Sequence, residues 1–336
     1  MADSLRWQDI LGHERNIERL RTMLREGRLP HALLFSGVAG VGKKKAARLV
    51  AAALLCKKAD APCGDCPSCR AFLAGTHPDY IEAAPESRGK GARVLRIEAV
   101  REIEKKAARK PLLSGRLVVL MDEADAMNEA AANSLLKTLE EPQGEVFFLL
   151  VTEKRAALLP TILSRVRDLH FGALPPAVIE RHLLAQGVEG GQAKMLAAAA
   201  DGSLSHALLL LEEDGLQLVE DAAQTLFSLR ALDMFHLWEK AEELGRLPRE
   251  RGEDWLLALS RLLRDMLVLY AGGGALYHEE RRVGLARALQ DFSEERVFSL
   301  LAEVREALRR LRSNANARLV FEGLLMRLGD ARAGER

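Results

Sequence analysis

Apolar residues fall into two patterns along this chain, and the change between them divides it. In the first half, continuous apolar runs stand at His31 to Ser36, Arg116 to Met121 and Val146 to Val151. Runs of this length with no polar interruption are the pattern of strands buried on both faces. Asp79 to Ala83 reads as a further short strand. Between the runs, apolar positions recur at helical spacing. Glu14 to Gly27 carries Ile17, Leu20, Met23 and Leu24 on one face, with Gly27 placed to cap its C-terminus. Lys43 to Leu55, Ile97 to Arg109 and Asn128 to Glu140 read as further helices, and Pro85 to Arg93 as a Gly- and charge-rich surface loop. Strands and helices alternate up to about Phe171, which predicts a parallel sheet covered on both faces. From Leu174-Pro175-Pro176 onward the strand pattern is absent. Residues 177–212 read as short helices, with an end and a restart around Asp201-Gly202-Ser203. Beyond about Gly215 the chain is Leu/Ala/Arg helix, broken at Gly272 to Gly274 and finishing in a polar tail from Gly329 to Arg336.

The first apolar run leads into the stretch that organises the rest. Gly37-Val38-Ala39-Gly40-Val41-Gly42-Lys43 has the spacing of a Walker A loop, whose backbone N–H groups and lysine cradle nucleotide phosphates at a helix N-terminus. The strand before it and the helix after it supply the required context. One position departs from the pattern. The residue after the lysine should be Ser or Thr, whose hydroxyl binds the Mg²⁺ of the nucleotide, and Lys44 stands there. Lys43, Lys44 and Lys45 together oppose the helix dipole, a conflict that a bound phosphate would relieve. Downstream, the run ending at Met121 delivers Asp122, Glu123 and Asp125 to a strand's C-terminal end. That is the Walker B arrangement, in which the Asp orders Mg²⁺ and the Glu polarises attacking water. The same four letters spell a helicase box, but the other helicase signatures are missing. Thr152, at the end of the third run, is either a polar side chain beside the phosphates or a strand-end cap.

The 336 residues carry a net charge of +1, with 29% charged residues, so no global basic field marks a nucleic-acid binder. The chain length suggests two or three domains. The first residues lack an apolar signal region and no apolar stretch reaches the ~18 residues of a membrane span, so a cytoplasmic protein is expected. All four cysteines, Cys56, Cys63, Cys66 and Cys69, lie in one short segment. Such clustering of reduced thiols points to a metal more than to disulfides, and a closed four-thiolate set suits a structural Zn²⁺. Gly64 and Pro67 between them suit tight turns. Trp238 and Trp255, on C-terminal helices, read as core residues.

With these pieces in order, the chain resembles the clamp-loader subunits of bacterial DNA polymerase III. The resemblance is carried by Trp7-Gln8-Asp9-Ile10-Leu11-Gly12-His13, the segment from His31 to Gly37, Thr76-His77-Pro78-Asp79-Tyr80, the segment from Asn133 to Pro142 and Ile162-Leu163-Ser164-Arg165. It covers residues 1 to about 212, and the helical remainder fits in length and composition. Two subunit types of that family carry this zinc insertion, the tau/gamma motor and the delta-prime type. Three features favour delta-prime. The chain has none of tau's extension; Thr76 to Tyr80 directly follows the zinc segment; and Ser205, in Gly202-Ser203-Leu204-Ser205-His206-Ala207, stands where the motor would place an arginine against the nucleotide.

The resemblance implies an AAA+ αβα P-loop domain over residues 1–171 with a zinc module at 56–69, a helical lid over 172–213 and a C-terminal helical collar over 214–336. It implies that Ser164-Arg165-Val166 corresponds to a Ser-Arg-Cys motif whose arginine enters the ATP site of a neighbouring subunit. Arginine suits that role, since its planar, permanent charge stabilises developing phosphate charge, worth roughly 10³–10⁵ in rate where measured. Val166 in place of Cys is expected to be tolerated, a buried cysteine being a small hydrophobe. The implied partners are tau/gamma and delta subunits in a hetero-pentamer, the sliding clamp, and primed DNA through the complex, without membrane. The nucleotide set is Gly37, Gly40, Gly42, Lys43, Lys44, Asp122, Glu123 and Thr152. ATP stays a candidate ligand, whereas Lys44 argues against Mg²⁺-dependent hydrolysis. Two rival readings stand beside this one. In the first, the chain is a self-sufficient AAA+ ATPase such as a tau/gamma-type motor, supported by the intact Asp122 and Glu123. In the second, the zinc segment recognises DNA through Lys57, Lys58 and Arg70, against which Asp60 and Asp65 leave only a modest charge.

Overall fold

The structure is a computed structural model, and it describes residues 5–85, 94–107, 110–140, 144–211, 215–229, 233–274, 276–313 and 315–329. Most of the expected 85–93 loop, the last two residues of the Asn133 to Pro142 motif and the tail beyond Gly329 lie outside those residues. The chain forms two compact units, Met1–Val178 with Gly202–Ser205, and Ile179–Asp201 with His206–Arg336.

The first unit holds a five-stranded sheet in which all pairings are parallel: β1 (Ala32–Gly37), β2 (Tyr80–Ala83), β3 (Leu117–Met121), β4 (Val146–Thr152) and β5 (Arg167–Phe171), in the order β2-β3-β4-β1-β5. Its helices are α1 (Glu14–Arg25), α2 (Lys43–Leu55), α3 (Pro67–Leu73), α4 (Ile97–Ala107), α5 (Glu129–Glu140) and the single turn α6 (Pro160–Leu163), with α7 (Pro176–Ala185) crossing into the second unit. Strand periodicity divides the core between two faces. Leu34, Val119, Met121, Phe148 and Leu150 meet Val100 and Ile103 of α4 and Leu135 and Leu139 of α5. The alternate positions Leu33, Phe35, Val118, Leu120 and Leu149 are equally buried, and α2, itself lined by buried Ala46, Leu49, Val50 and Ala53, packs on β1, β3 and β4. This explains why β1, β3 and β4 read as unbroken apolar runs, while the edge strands β2 and β5 carry polar residues.

Two local expectations change. Pro67 does not make a turn between cysteines but opens α3 at its first position, where its missing N–H costs nothing. Gly329 belongs to the last helix and is buried.

The second unit is helical among its described residues: α8 (Gly190–Ala199), α9 (Leu204–Leu211, entering from the first unit), α10 (Gly215–Ser228), α11 (Met234–Arg246), α12 (Arg249–Tyr270), α13 (Arg282–Ala288), α14 (Glu294–Arg312) and α15 (Ala317–Gly329). α12 is its spine. Trp255, Leu259, Leu262, Leu263 and Met266 are fully buried on it, α10 and α14 pack along it, and Trp255 meets Phe321 of α15 edge-on at 5.9 Å. Trp255 also donates Nε1–H to Asp221 at 2.7 Å. Trp238 departs from its core expectation. It is 39% exposed on α11 and carries the Arg318 guanidinium over its ring at 5.0 Å. No helix among the described residues is long and apolar enough to cross a membrane.

Candidate nucleotide loop and metal centre

Parallel pairing brings the C-terminal ends of the strands to one edge, where α/β proteins place their ligands. Register aligns Ser36 with Thr152 across β1 and β4, and Met121 with Leu150 across β3 and β4. Gly37, Asp122, Glu123 and Thr152 therefore share that edge with the loop between β1 and α2. Gly37 takes φ 134°, and a Cβ there would fall 1.9 Å from the Phe171 carbonyl oxygen, so only glycine fits. Gly40 takes φ 68° and lies under the segment 203–205: its carbonyl accepts the Ser205 N–H at 3.2 Å, and a Cβ would meet Ser203 Oγ at 2.2 Å. Gly42 is the N-cap of α2. Ser205 thus covers the loop with its backbone.

Lys43 is 5% exposed and turns its ammonium back to the Val38 carbonyl at 2.5 Å. Burial depresses its pKa, against the opposing pull of Glu153, Asp122 and Asp125. An apolar setting disfavours the charged form, so an anion in the loop would relieve the strain. Lys44 points to the Walker B side. Its Nζ lies 3.0 Å from Asp122 Oδ2 and 2.9 Å from Glu82 Oε1. Partial burial works against its charge, but the two carboxylates outweigh it and raise its pKa. Glu82 also accepts Arg48 Nη1 at 3.0 Å and the Tyr80 hydroxyl at 2.8 Å. Glu82 escaped the sequence reading because nothing local distinguishes it from a polar residue on a four-residue strand.

Glu123 stands in the left-handed region at φ 47°, uncommon for a residue with a Cβ, and its N–H reaches Asp122 Oδ1 at 3.0 Å. Such backbone strain gathers at functional sites. Thr152 takes the strand-end cap role, accepting the Lys154 N–H at 3.0 Å, and donates its Oγ1–H to Asp125 at 2.6 Å.

Arg165 belongs to a different group. Ser164 caps the C-terminus of α6 and hydrogen-bonds Thr161, while Arg165 donates to the Thr161 carbonyl at 2.9 Å and to Ser164 Oγ at 3.2 Å and forms an ion pair with Glu140. The structure does not bring it into the group of Lys43, Lys44 and Asp122. Its side chain is 35% exposed, and Val166 beside it packs on the sheet core.

The four cysteines converge. Cys56 follows α2 as its C-cap, Cys66 is the N-cap of α3, and Cys69 lies buried on the first turns of α3. Their sulfurs all lie within 4.8 Å of one another, with Cys56–Cys63 at 3.7 Å and Cys56–Cys66 and Cys63–Cys69 at 3.9 Å. Four sulfurs at ~2.3 Å from one tetrahedral ion stand about 3.8 Å apart, so the donor set fits a closed metal site. Burial opposes the Cys66 thiolate, but the Cys69 N–H and neighbouring thiols bring it down to about 7.

The residues just after the module, missed as a functional unit, fasten it to the sheet. His77 accepts the Asp79 N–H at Nδ1 (3.1 Å), which leaves the proton on Nε2 for Ser68 Oγ (2.8 Å), and Ser68 donates to the Leu55 carbonyl (2.9 Å). Burial lowers the His77 pKa and keeps it neutral. Asp79, 2% exposed, accepts the N–H groups of Leu112 (2.6 Å), Leu113 (2.8 Å) and Ser114 (2.7 Å) and the Ser114 hydroxyl (2.9 Å).

The chain as a whole has counterparts in sequence. The family model described as "DNA polymerase III, delta subunit" matches residues 12–175. The DNA polymerase III subunit delta′ of Escherichia coli K12 is 34% identical over 331 residues, covering 96% of each chain. That of Bacillus subtilis 168 is 30% identical over 324 residues, 94% of this chain and 95% of the relative. The tau/gamma subunit of Haemophilus influenzae is 39% identical over 213 residues, 61% of this chain and 30% of that protein. End-to-end identity at this level, 34% and 30% over nearly the whole of each chain, establishes that the chain belongs to the DNA polymerase III delta′ subunit family.

Proposed function

We propose that this chain is the stationary, arginine-donating subunit of a clamp loader. It sits beside a motor subunit, supplies Arg165 to that subunit's ATP site, and so assists ATP-driven placement of a ring-shaped sliding clamp on primed DNA. The observation that carries this reading is the split between two groups. Lys44 occupies Asp122, the group that would order Mg²⁺ for hydrolysis in cis, while Arg165 stands half-exposed and apart on Glu140. An arginine in that position exchanges one carboxylate for a γ-phosphate of higher charge, with its planar fork already ordered by Thr161 and Ser164. Its partners in this reading are tau/gamma and delta subunits in a hetero-pentamer in the cytoplasm. The division of labour follows residues 1–171 as the P-loop domain, 172–213 as the lid and 214–336 as the collar. Zn²⁺, when bound, cross-links Cys56, Cys63, Cys66 and Cys69 and takes no chemical step.

The test is DNA- and clamp-stimulated ATP hydrolysis in a complex reconstituted with the cognate motor and delta subunits, comparing Arg165→Ala with Lys43→Ala. Arg165→Ala is expected to abolish a large part of the rate and Lys43→Ala to leave it nearly unchanged. The reverse pattern would make the chain a motor in its own right.

A further inference from the structure

Glu82 and Asp122 are the two carboxylates that hold Lys44, and each of their oxygens already has a donor. Glu82 Oε1 and Asp122 Oδ2 hold the ammonium at 2.9 and 3.0 Å; Glu82 Oε2 holds Arg48 and Tyr80; Asp122 Oδ1 holds the Glu123 N–H. The ammonium is attached to the first turn of α2, one residue after the lysine of the loop, at the position from which a P-loop hydroxyl would reach the metal. We propose that Lys44 is a built-in monovalent substitute for Mg²⁺, so that this loop takes a nucleotide di- or triphosphate as the metal-free anion.

The chemistry supports exclusion and replacement together. Mg²⁺ dehydrates reluctantly, demands octahedral oxygen ligands, and here lacks the hydroxyl; the two nearest carboxylates would also have to give up an ion pair that costs no translational entropy. The anion side is still served. The N–H groups of the loop, the α2 dipole and the buried Lys43 ammonium remain, and the hydrogen bond Lys43 would give up is the one to the Val38 carbonyl. A metal-bound nucleotide brings less negative charge and a cation that Lys44 repels, so adding Mg²⁺ gives no gain. This inference rests on the loop being a nucleotide site and goes beyond the arginine-donor reading by fixing the charge state of the ligand.

The experiment is fluorescence titration of the full chain with N-methylanthraniloyl-ADP, in EDTA and in excess Mg²⁺. The wild-type affinity is expected to be equal in the two media, or weaker with Mg²⁺. Lys44→Thr, checked for folding by circular dichroism, is expected to bind at least tenfold more tightly with Mg²⁺ than in EDTA. A wild-type affinity raised more than threefold by Mg²⁺ overturns the proposal, as does a Lys44→Thr chain indifferent to the metal. Absence of wild-type binding in both media overturns it too, since the loop is then no nucleotide site. None of these outcomes touches Arg165, whose role is read separately from the complex's ATPase rate.

Discussion

Replacing Asp79 by alanine removes the single carboxylate that pins the loop 112–114, just before β3, to the segment following the thiolate cluster. That carboxylate accepts four hydrogen bonds, from the N–H groups of Leu112, Leu113 and Ser114 and from Ser114 Oγ. At a net ~1 kcal/mol for an ordinary hydrogen bond and more for an ionised acceptor, the four are worth at least about 4 kcal/mol. Leu112 is exposed and its neighbours half-buried, so water recovers part of this, and a loss of about 2–3 kcal/mol is expected for Asp79→Ala. Ser114→Ala removes one donor and should cost about 1 kcal/mol alone, but less in the Asp79→Ala background, where only the Arg116 carbonyl at 2.9 Å is left for that hydroxyl. The assay is urea unfolding at neutral pH, read by circular dichroism for the two single variants and the double. A loss below ~0.5 kcal/mol for Asp79→Ala, or additive losses in the double variant, would refute the reasoning.

Removing the metal with a strong chelator, or making Cys69→Ser, should lower the melting temperature and reduce zinc measured by elemental analysis from one per chain to none, since the sulfurs at 3.7–3.9 Å need a common ion to hold them. Acid should destabilise the helical unit through His206, which burial and the adjacent Arg261 hold down to about 4. A histidine whose folded pKa is depressed contributes fully above its unfolded value near 6.5. It loses that contribution as pH falls toward 4, by about 3 kcal/mol in all, and His206→Gln should flatten the dependence of unfolding on pH across that window. Gly40→Ala should cost about 2–3 kcal/mol in thermal or urea unfolding, because the new Cβ meets Ser203 Oγ at 2.2 Å and Ser205 Cβ at 2.8 Å, whereas Gly64→Ala, with φ 81° and nothing within 4 Å, should cost only about 1 kcal/mol of backbone strain.

The three central strands β1, β3 and β4 were legible because parallel strands buried on both faces leave almost no polar position inside the run, as in Leu117 to Met121. By contrast β5, Arg-Asp-Leu-His-Phe with exposed Arg167 and His170, carries no such run and was not read. The start of α2 was legible because glycine spacing and a following Ala/Leu helix are local signals. What escaped was carried by contacts distant in sequence. α3 was hidden because a Pro and two cysteines look like a turn until Cys66 is seen capping the helix with its own sulfur. Glu82 lies 38 residues beyond Lys44, and Asp79 more than 30 residues before its loop, so no window contains either pair. The left-handed Glu123 has no compositional mark, since Glu is not a residue that usually adopts that conformation. Trp238 was misread because an aromatic at helical spacing is usually interior, whereas here an arginine covers it instead.

α2 joins the two chemical centres by a single rod. Its thirteen residues begin with Lys43 and Lys44 and hand over directly to Cys56, so the ends stand about 20 Å apart at ~1.5 Å per residue. That exceeds the ~8 Å screening length at physiological ionic strength, and the charge of an ion among the thiolates is muted at the phosphate loop. Displacement is not muted, because a hydrogen-bonded helix buried along its length transmits a push at one end to the other. The two centres are therefore insulated as charges, and the buried helix that joins them is a mechanical link from the cysteine module to the lysines.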